Sequence, residues 1–275
     1  MARLGENRWG KSDVRVSKIH RAESGDDFLD LTVQLLLKGD VEAAHVLGDN
    51  RGVLPTDTMK NTVYALAQEH LTRDLEAFAA VLCDHFLERD GISGADVSLS
   101  ERAWDRVGPT GFVGGGSGRR LARVALTTTG DAAGGVWAGL DGLVVLKTTG
   151  SAFSGFPRDE FTVLPETDER ILATSVRAVW RYSVTPSNTT ATWEKARQAM
   201  IDSFFSEHSA SVQHQGWMMA EALLQAVEEI EEVEFRLPNQ HHLNYDLSRF
   251  GMEDQGVVFQ PVSEPYGDIG FTVTR

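Results

Sequence analysis

Cysteine is almost absent from this chain: Cys83 is the only one in 275 residues. That excludes an intrachain disulfide framework and any thiolate metal site of the Cys-x-x-Cys kind. Cys83 lies in AAVLCDHFL, a segment of helical spacing, and reads as core filler. Long apolar runs are also missing. No stretch reaches the length of about 18 apolar residues that a membrane span needs, so no membrane partner is expected. The opening MARLGENRWGKSDVR is polar, without the apolar segment of a secretory signal, and the closing TVTR is not a Ser-Lys-Leu peroxisomal address; the expected location is the cytoplasm. Positive charge is the scarcer sign, with 26 Lys and Arg against 40 Asp and Glu and a net charge of −14. The densest basic spot is Arg119, Arg120 and Arg123, too little for a nucleic-acid face, and no nucleic-acid partner is expected. A small anionic substrate is still compatible with this balance, because beyond a Debye length of about 8 Å the bulk charge is largely screened and local cations decide.

Hydrophobic residues make up 41% of the chain, enough for a substantial core, and 275 residues suit one large or two medium domains. DVRVSKI (Asp13 to Ile19) alternates, with Val14, Val16 and Lys18 on one face, and FLDLTVQLLLKG (Phe28 to Gly39) follows after the turn-like ESGDD, so the pair reads as a β-hairpin. VEAAHVLG (Val41 to Gly48) reads as a further short strand. The period then changes. Met59, Val63 and Leu66 in TDTMKNTVYALAQEH mark one face of a helix started by Thr56 or Asp57 as the cap. Leu75, Phe78, Leu82 and Phe86 mark another, capped by Asp74 and stopped by Gly91. Strand patterns return at Ile92 to Val107 and Arg119 to Thr129, separated by the glycine-rich Gly108 to Gly118, which reads as a hairpin loop.

The second half keeps the same order. GGVWAGLDGLVVLKTTG and ILATSVRAVWRYSV read as long strands, and helix faces follow at Trp193, Ala196, Met200 and Phe204, then at Trp217, Ala220, Leu224 and Val227. The acidic Glu228 to Glu234 reads as a solvated helix end. Short strands close the chain at EVEFRL, HLNYDL, GVVFQP and GFTVT. Each half therefore reads strand, strand, helix, helix, strand, strand, an α+β unit with two helices on one face of an antiparallel sheet. The boundary is expected near Asp131 to Gly135.

Several motifs tempt a functional reading and fail on context. Gly5, Gly10, Lys11 and Ser12 satisfy G-x-x-x-x-G-K-[ST], but a phosphate loop needs a strand before it and a helix after it, and only four residues precede Gly5 while β-periodic sequence follows Ser12. His241 and His242 are adjacent, and on a strand adjacent side chains point to opposite faces, so they cannot chelate one ion together. The other histidines lack metal-ligand spacing, and no metal is expected. GGGSG lacks a dinucleotide-binding context, and no G-x-S-x-G elbow occurs. The polar residues left over are Lys11, Thr56, Asp57, Arg170, Gln213, Asn239 and His241; read singly, each has a structural role open to it, as cap, turn residue or ion-pair partner.

GDNRGVLPTDTMKNTVYALA (Gly48 to Ala67), and TDTMKNT within it above all, resembles the urate oxidase (uricase) family. WGKSDVRVSKI resembles that family's opening segment, GLVVLKTTGSAFSGFPRDEFTVLPETDERILATSV its central one, and SASVQ and LPNQHH complete a likeness over nearly the whole chain. The poorest match is Gly91 to Arg120; Trp9 stands where the family has tyrosine, Pro55 where alanine is common and Ser154 where a larger residue is common. The resemblance implies the tunnelling fold: two antiparallel ββααββ units, 1–133 and 134–275, assembling into a β-barrel tunnel with the helices outside. It implies a cofactor-independent oxidation of urate by dioxygen and water to 5-hydroxyisourate and hydrogen peroxide, with no cofactor and no metal, in a homotetramer whose sites lie between subunits.

By the same resemblance Lys11 and Thr56 are the catalytic pair, and His241 completes their proton relay. Arg170 and Gln213 grip the edge of the substrate, Phe153 stacks under it, Asn239 lies beside the position of dioxygen or water, and Asp57 and Val212 touch the purine through their backbone N–H groups. The set is chemically coherent. Urate is flat, conjugated and anionic; a guanidinium can give it two parallel hydrogen bonds and an amide can serve both donor and acceptor positions. The competing readings are a non-catalytic purine- or pterin-binding protein of the same fold and, from the Gly5–Ser12 pattern, a nucleotide binder.

Overall fold

In the computed structural model, residues 2–116, 118–129, 134–253 and 255–275 are described. The chain divides into two compact units, one made of residues 1–139 with 180–193 and the other of 140–179 with 194–275. Of the boundary expected at Asp131 to Gly135, residues 131–133 lie outside the described residues.

The elements run in chain order as β1 (Trp9–His20), β2 (Asp27–Gly39), α1 (Glu42–Leu47), α2 (Thr56–His70), α3 (Leu75–Leu87), β3 (Ile92–Glu101), β4 (Trp104–Val107), β5 (Gly111–Gly114) and β6 (Arg119–Thr127). They continue as β7 (Gly135–Lys147), β8 (Leu172–Tyr182), α4 (Thr189–Ser206), α5 (Val212–Ala226), β9 (Ile230–Pro238), β10 (His241–Asn244), β11 (Phe259–Val262) and β12 (Asp268–Thr274). This is a mixed α+β chain with antiparallel strand pairing.

In the first unit the strand order is β1-β2-β3-β6, and α2 and α3 cover one face. Strict alternation makes β2 half-buried: Leu29, Leu31, Val33, Leu35 and Leu37 are all inaccessible to solvent. Val14 and Val16 of β1, Met59 and Val63 of α2, and Leu75, Phe78, Leu82 and Phe86 of α3 fill the same core. Cys83 joins them, and burial pushes its thiol up to about 12, which keeps it an unreactive packing group. Two arginines of the densest basic stretch serve structure: buried Arg120 pairs with Glu76 at 2.7 Å, and Arg123 with Asp96 at 2.7 Å.

The second unit holds most of β7 and β8; the order runs β7-β8-β9-β12, β10 pairs with β11, and α5 packs on β9 and β12. Gly216 permits that packing, since a Cβ there would come within 2.6 Å of the Phe271 ring and 2.7 Å of Leu237. Phe235 and Phe271 stack beneath it at 5.5 Å.

Five local readings are corrected. Val41 to Gly48 is not a strand: Glu42–Leu47 forms α1, ended by Gly48 with φ 70°, and none of its residues is buried to impose a strand's alternation. Glycine-rich Gly108 to Gly118 is not all loop, because Gly111–Gly114 pairs with β4 as β5, leaving the turn around Gly108; Ser117 lies outside the described residues. The acidic run is not a helix end: Glu231, Glu232 and Glu234 lie on β9 between Ile230, Val233 and Phe235, whose burial sets the strand. Neither Thr56 nor Asp57 caps α2; Pro55 occupies that position, and no side chain caps the helix. On α5 the buried stripe is Val212, Gln215, Gly216, Met219, Ala220, Leu223 and Leu224, and Trp217 falls outside it, 52% exposed.

The phosphate-loop pattern ends inside a strand. Gly10, Lys11 and Ser12 all belong to β1, and a Cβ on Gly10 would lie 1.9 Å from the Leu35 carbonyl oxygen, so glycine here serves strand contact.

Candidate active site

In the first unit the candidate residues start at an irregularity. β1 pairs with β2 in register as far as Lys11, and the register then shifts before Val14. Asp13 has a φ of 55°, a conformation rarely adopted outside glycine. Such bulges re-aim neighbouring side chains, and Lys11 sits at the edge of this one, half-buried. Two residues before it, the Trp9 indole Nε1 donates to the Leu54 carbonyl at 3.1 Å. That bond ties β1 to the segment that enters α2. Pro55, with φ −59° and ψ 135°, then delivers Thr56 and Asp57 as the first helical residues.

With no side-chain cap, the first-turn N–H groups of α2 have no partner within the helix and carry the positive end of its dipole. The Asp57 carboxylate is turned along the helix, accepting from Lys60 and from Asn61, the latter at 3.0 Å. The hydrogen bond from Lys60 holds that carboxyl below the usual range, and the nearby charge of Lys11 adds to the effect. Lys11 is therefore within electrostatic reach of the turn that bears Thr56. Sequence reading saw Trp9 only as a departure from the family. Trp9→Phe, which removes the indole N–H and leaves the Leu54 carbonyl unpaired, is expected to lower turnover by about fivefold, from the loss of one hydrogen bond worth about 1 kcal/mol. Steady-state kinetics at saturating substrate checks it.

In the second unit a mesh of backbone bonds gathers loops. Phe153 and Thr167 exchange bonds at 2.7 and 3.0 Å, Arg170 N donates to Ser151 O at 2.8 Å, and Ala152 N donates to Ser209 O at 2.8 Å. The Arg170 guanidinium lies 5.2 Å from the centroid of the Phe153 ring, and Phe156 stacks on that ring at 4.9 Å. Arg170 Nε is buried with no hydrogen-bond partner among the described residues. Burial pushes its guanidinium pKa down from the ordinary arginine value. A partly desolvated guanidinium beside an aromatic face calls for an anionic partner.

Ser209 leads directly to α5. The Ser211 hydroxyl caps that helix by accepting from His214 N at 3.0 Å, which leaves the N–H groups of Val212 and Gln213 at the positive end of the helix. On the other side, Gln240 N donates to Ala173 O at 2.8 Å and Thr174 Oγ1 to Pro238 O at 2.9 Å, holding the turn that carries Asn239. The Asn239 amide lies 3.4 Å from His241 Nδ1. Both residues line an open cleft of about 530 Å³ with Pro261 and Tyr266.

The sequence candidates thus form two groups. Lys11, Thr56 and Asp57 belong to the first unit; Phe153, Arg170, Val212, Gln213, Asn239 and His241 belong to the second. Residues to which sequence reading gave no role are Trp9, Phe156, Ser151, Ser209 and Tyr266. Trp9, Ser151 and Ser209 act through partners far along the chain, and no local spacing announces them.

An aromatic face beside a partly desolvated guanidinium, in an α+β chain, is a combination that suits a flat, anionic partner. The Uricase family model matches residues 7–125 and 136–270. The chain is 38% identical over 273 residues to a uricase of Arthrobacter globiformis, covering 99% of this chain and 90% of that protein. It is 35% identical over 282 residues to a uricase of Dictyostelium discoideum, covering 100% and 98%. The crystal structure of the Arthrobacter globiformis uricase superposes with a TM-score of 0.95 at 38% identity, covering 100% of this chain and 96% of that one. A uricase from Bacillus fastidious, at 22% identity and a TM-score of 0.84, shares the fold. The chain belongs to the uricase family. Among the described residues, no helix is long and apolar enough to cross a membrane.

Proposed function

We propose that this chain oxidises urate with dioxygen and water to 5-hydroxyisourate and hydrogen peroxide, using no metal or organic cofactor. The observation that carries the reading is Arg170, buried and unpartnered at Nε, over the edge of a site floored by Phe153. Arg170 and Gln213 hold the purine edge, and stacking on Phe153 contributes about 1–3 kcal/mol, by analogy with base–aromatic stacking. The free N–H groups at the starts of α2 and α5 suit the contacts assigned to Asp57 and Val212.

Deprotonated urate is itself the electron donor to dioxygen, so the protein supplies proton removal and fixed geometry. Thr56 is a poor base unaided; Lys11 takes its proton when its amine is in the neutral form, becoming the ammonium, and His241 completes the relay. Asn239, hydrogen-bonded to His241, sits beside the position of dioxygen or water. The fold is the tunnelling fold, with units 1–133 and 134–275 closing a barrel with partners in a homotetramer. Lys11 and Thr56 of one subunit complete the site bearing Arg170 and Gln213 of a neighbour.

Metal-stripped protein mixed with urate in air is expected to consume the ultraviolet absorbance of urate and release equimolar hydrogen peroxide. Urate binding without turnover would overturn the catalytic reading in favour of a purine-binding protein.

A further inference from the structure

Lys147 ends β7 with its ammonium turned inward. Its Nζ donates to Gln215 Oε1 at 2.7 Å and to the Glu207 carbonyl at 2.9 Å, and lies 5.5 Å from the Phe204 ring centroid. Both acceptors are neutral. Burial holds its pKa below the ordinary lysine value, opposed by the charge of Glu169. A cation placed against neutral acceptors and an aromatic ring is costly compared with one in water, and packing alone would be served by methionine or leucine.

Both hydrogen bonds of Lys147, and the carboxylate of Glu169 whose charge acts on it, lead towards a candidate substrate residue. Gln215, 1% exposed, lies in α5 two residues beyond Gln213, and its own amide nitrogen reaches Ser203 O at 3.4 Å. Glu207 precedes Ser209, whose carbonyl holds Ala152 N at 2.8 Å, next to Phe153. Glu169 accepts from Gly150 N and directly precedes Arg170. The ammonium joins the end of β7, from which the chain runs on to Phe153, to the start of α5 and the segment before it.

We propose that Lys147 is a positioning residue for the substrate pocket, tying the first turns of α5 to the loop that presents Phe153 and Arg170. The inference rests on the reading of Phe153, Arg170, Val212 and Gln213 as that pocket. Because a preformed pocket avoids the cost of ordering its parts on binding, loss of the tether weakens binding more than chemistry.

The test is anaerobic titration with urate, where binding occurs without turnover, alongside steady-state kinetics in air, for Lys147→Met and Arg170→Ala. Lys147→Met is expected to raise Kd and KM for urate about tenfold, the effect of one charge-assisted hydrogen bond, while kcat changes less than about threefold. Unchanged Kd and KM, with the loss confined to thermal stability, would overturn the proposal. If Arg170→Ala weakens urate binding and Lys147→Met does not, the tether fails and the pocket stands; if neither does, the pocket assignment itself is wrong. Should Lys147→Met not fold, Gln215→Leu removes the same bond from the helix side, with the same two outcomes.

Discussion

Lys11→Met is expected to lower kcat for urate oxidation by about 10²–10⁴-fold, the contribution of a positioned base, while urate still binds within a few-fold of the native affinity. Methionine keeps an unbranched stem of similar reach, with sulfur for one methylene, and removes the amine. The backbone that aims it, from Gly10 packed against Leu35 to the register shift before Val14, is left intact. Thr56→Ala is expected to behave in the same way, because its hydroxyl does not cap α2 and its loss need not melt the helix. Anaerobic titration and steady-state rates on each variant separate binding from chemistry. A variant with native kcat would remove Lys11 from the relay. When two groups act as one relay, the double variant should cost little more than either single one.

Arg170→Ala should act on the other side of the ledger, weakening urate binding by about a hundredfold, near 3 kcal/mol, the upper range for a hydrogen bond to a charged group. The guanidinium is half-buried, its Nε has no partner among the described residues, and it lies over the Phe153 ring. A group desolvated to that extent returns its cost only when an anion arrives. Lys in its place restores charge without the planar fork, so Arg170→Lys is expected to recover only part of the affinity. Equilibrium binding of urate without oxygen measures both, and native affinity in Arg170→Ala would refute the assignment.

Much of the fold was legible locally. The alternation of Leu29 to Leu37 and the helical spacing of Leu75, Phe78, Leu82 and Phe86 each record one buried face, and every one of these side chains is fully enclosed. Asp74 was legible as a cap, because a short carboxylate reaches its own helix: it accepts from Ala77 N at 2.9 Å. Two of the errors came where burial did not constrain the segment, as in α1, and where one large apolar residue outweighed the true stripe, as in α5. Trp217 drew the expected face of α5 about one residue aside from the buried one, since a single step turns a helix by about 100°.

The sequence alone determined the family, the α+β class and the identities of the candidate site residues, because these are carried by short motifs and by periods of a few residues. What only the tertiary structure decided is how those residues are held: Trp9 bonded to Leu54 across 45 positions, Lys147 to Gln215 across 68, and Arg170 left half-buried over Phe153. Pairings of that range depend on which loops the folded backbone closes, and a side chain's neighbours along the chain carry no record of them.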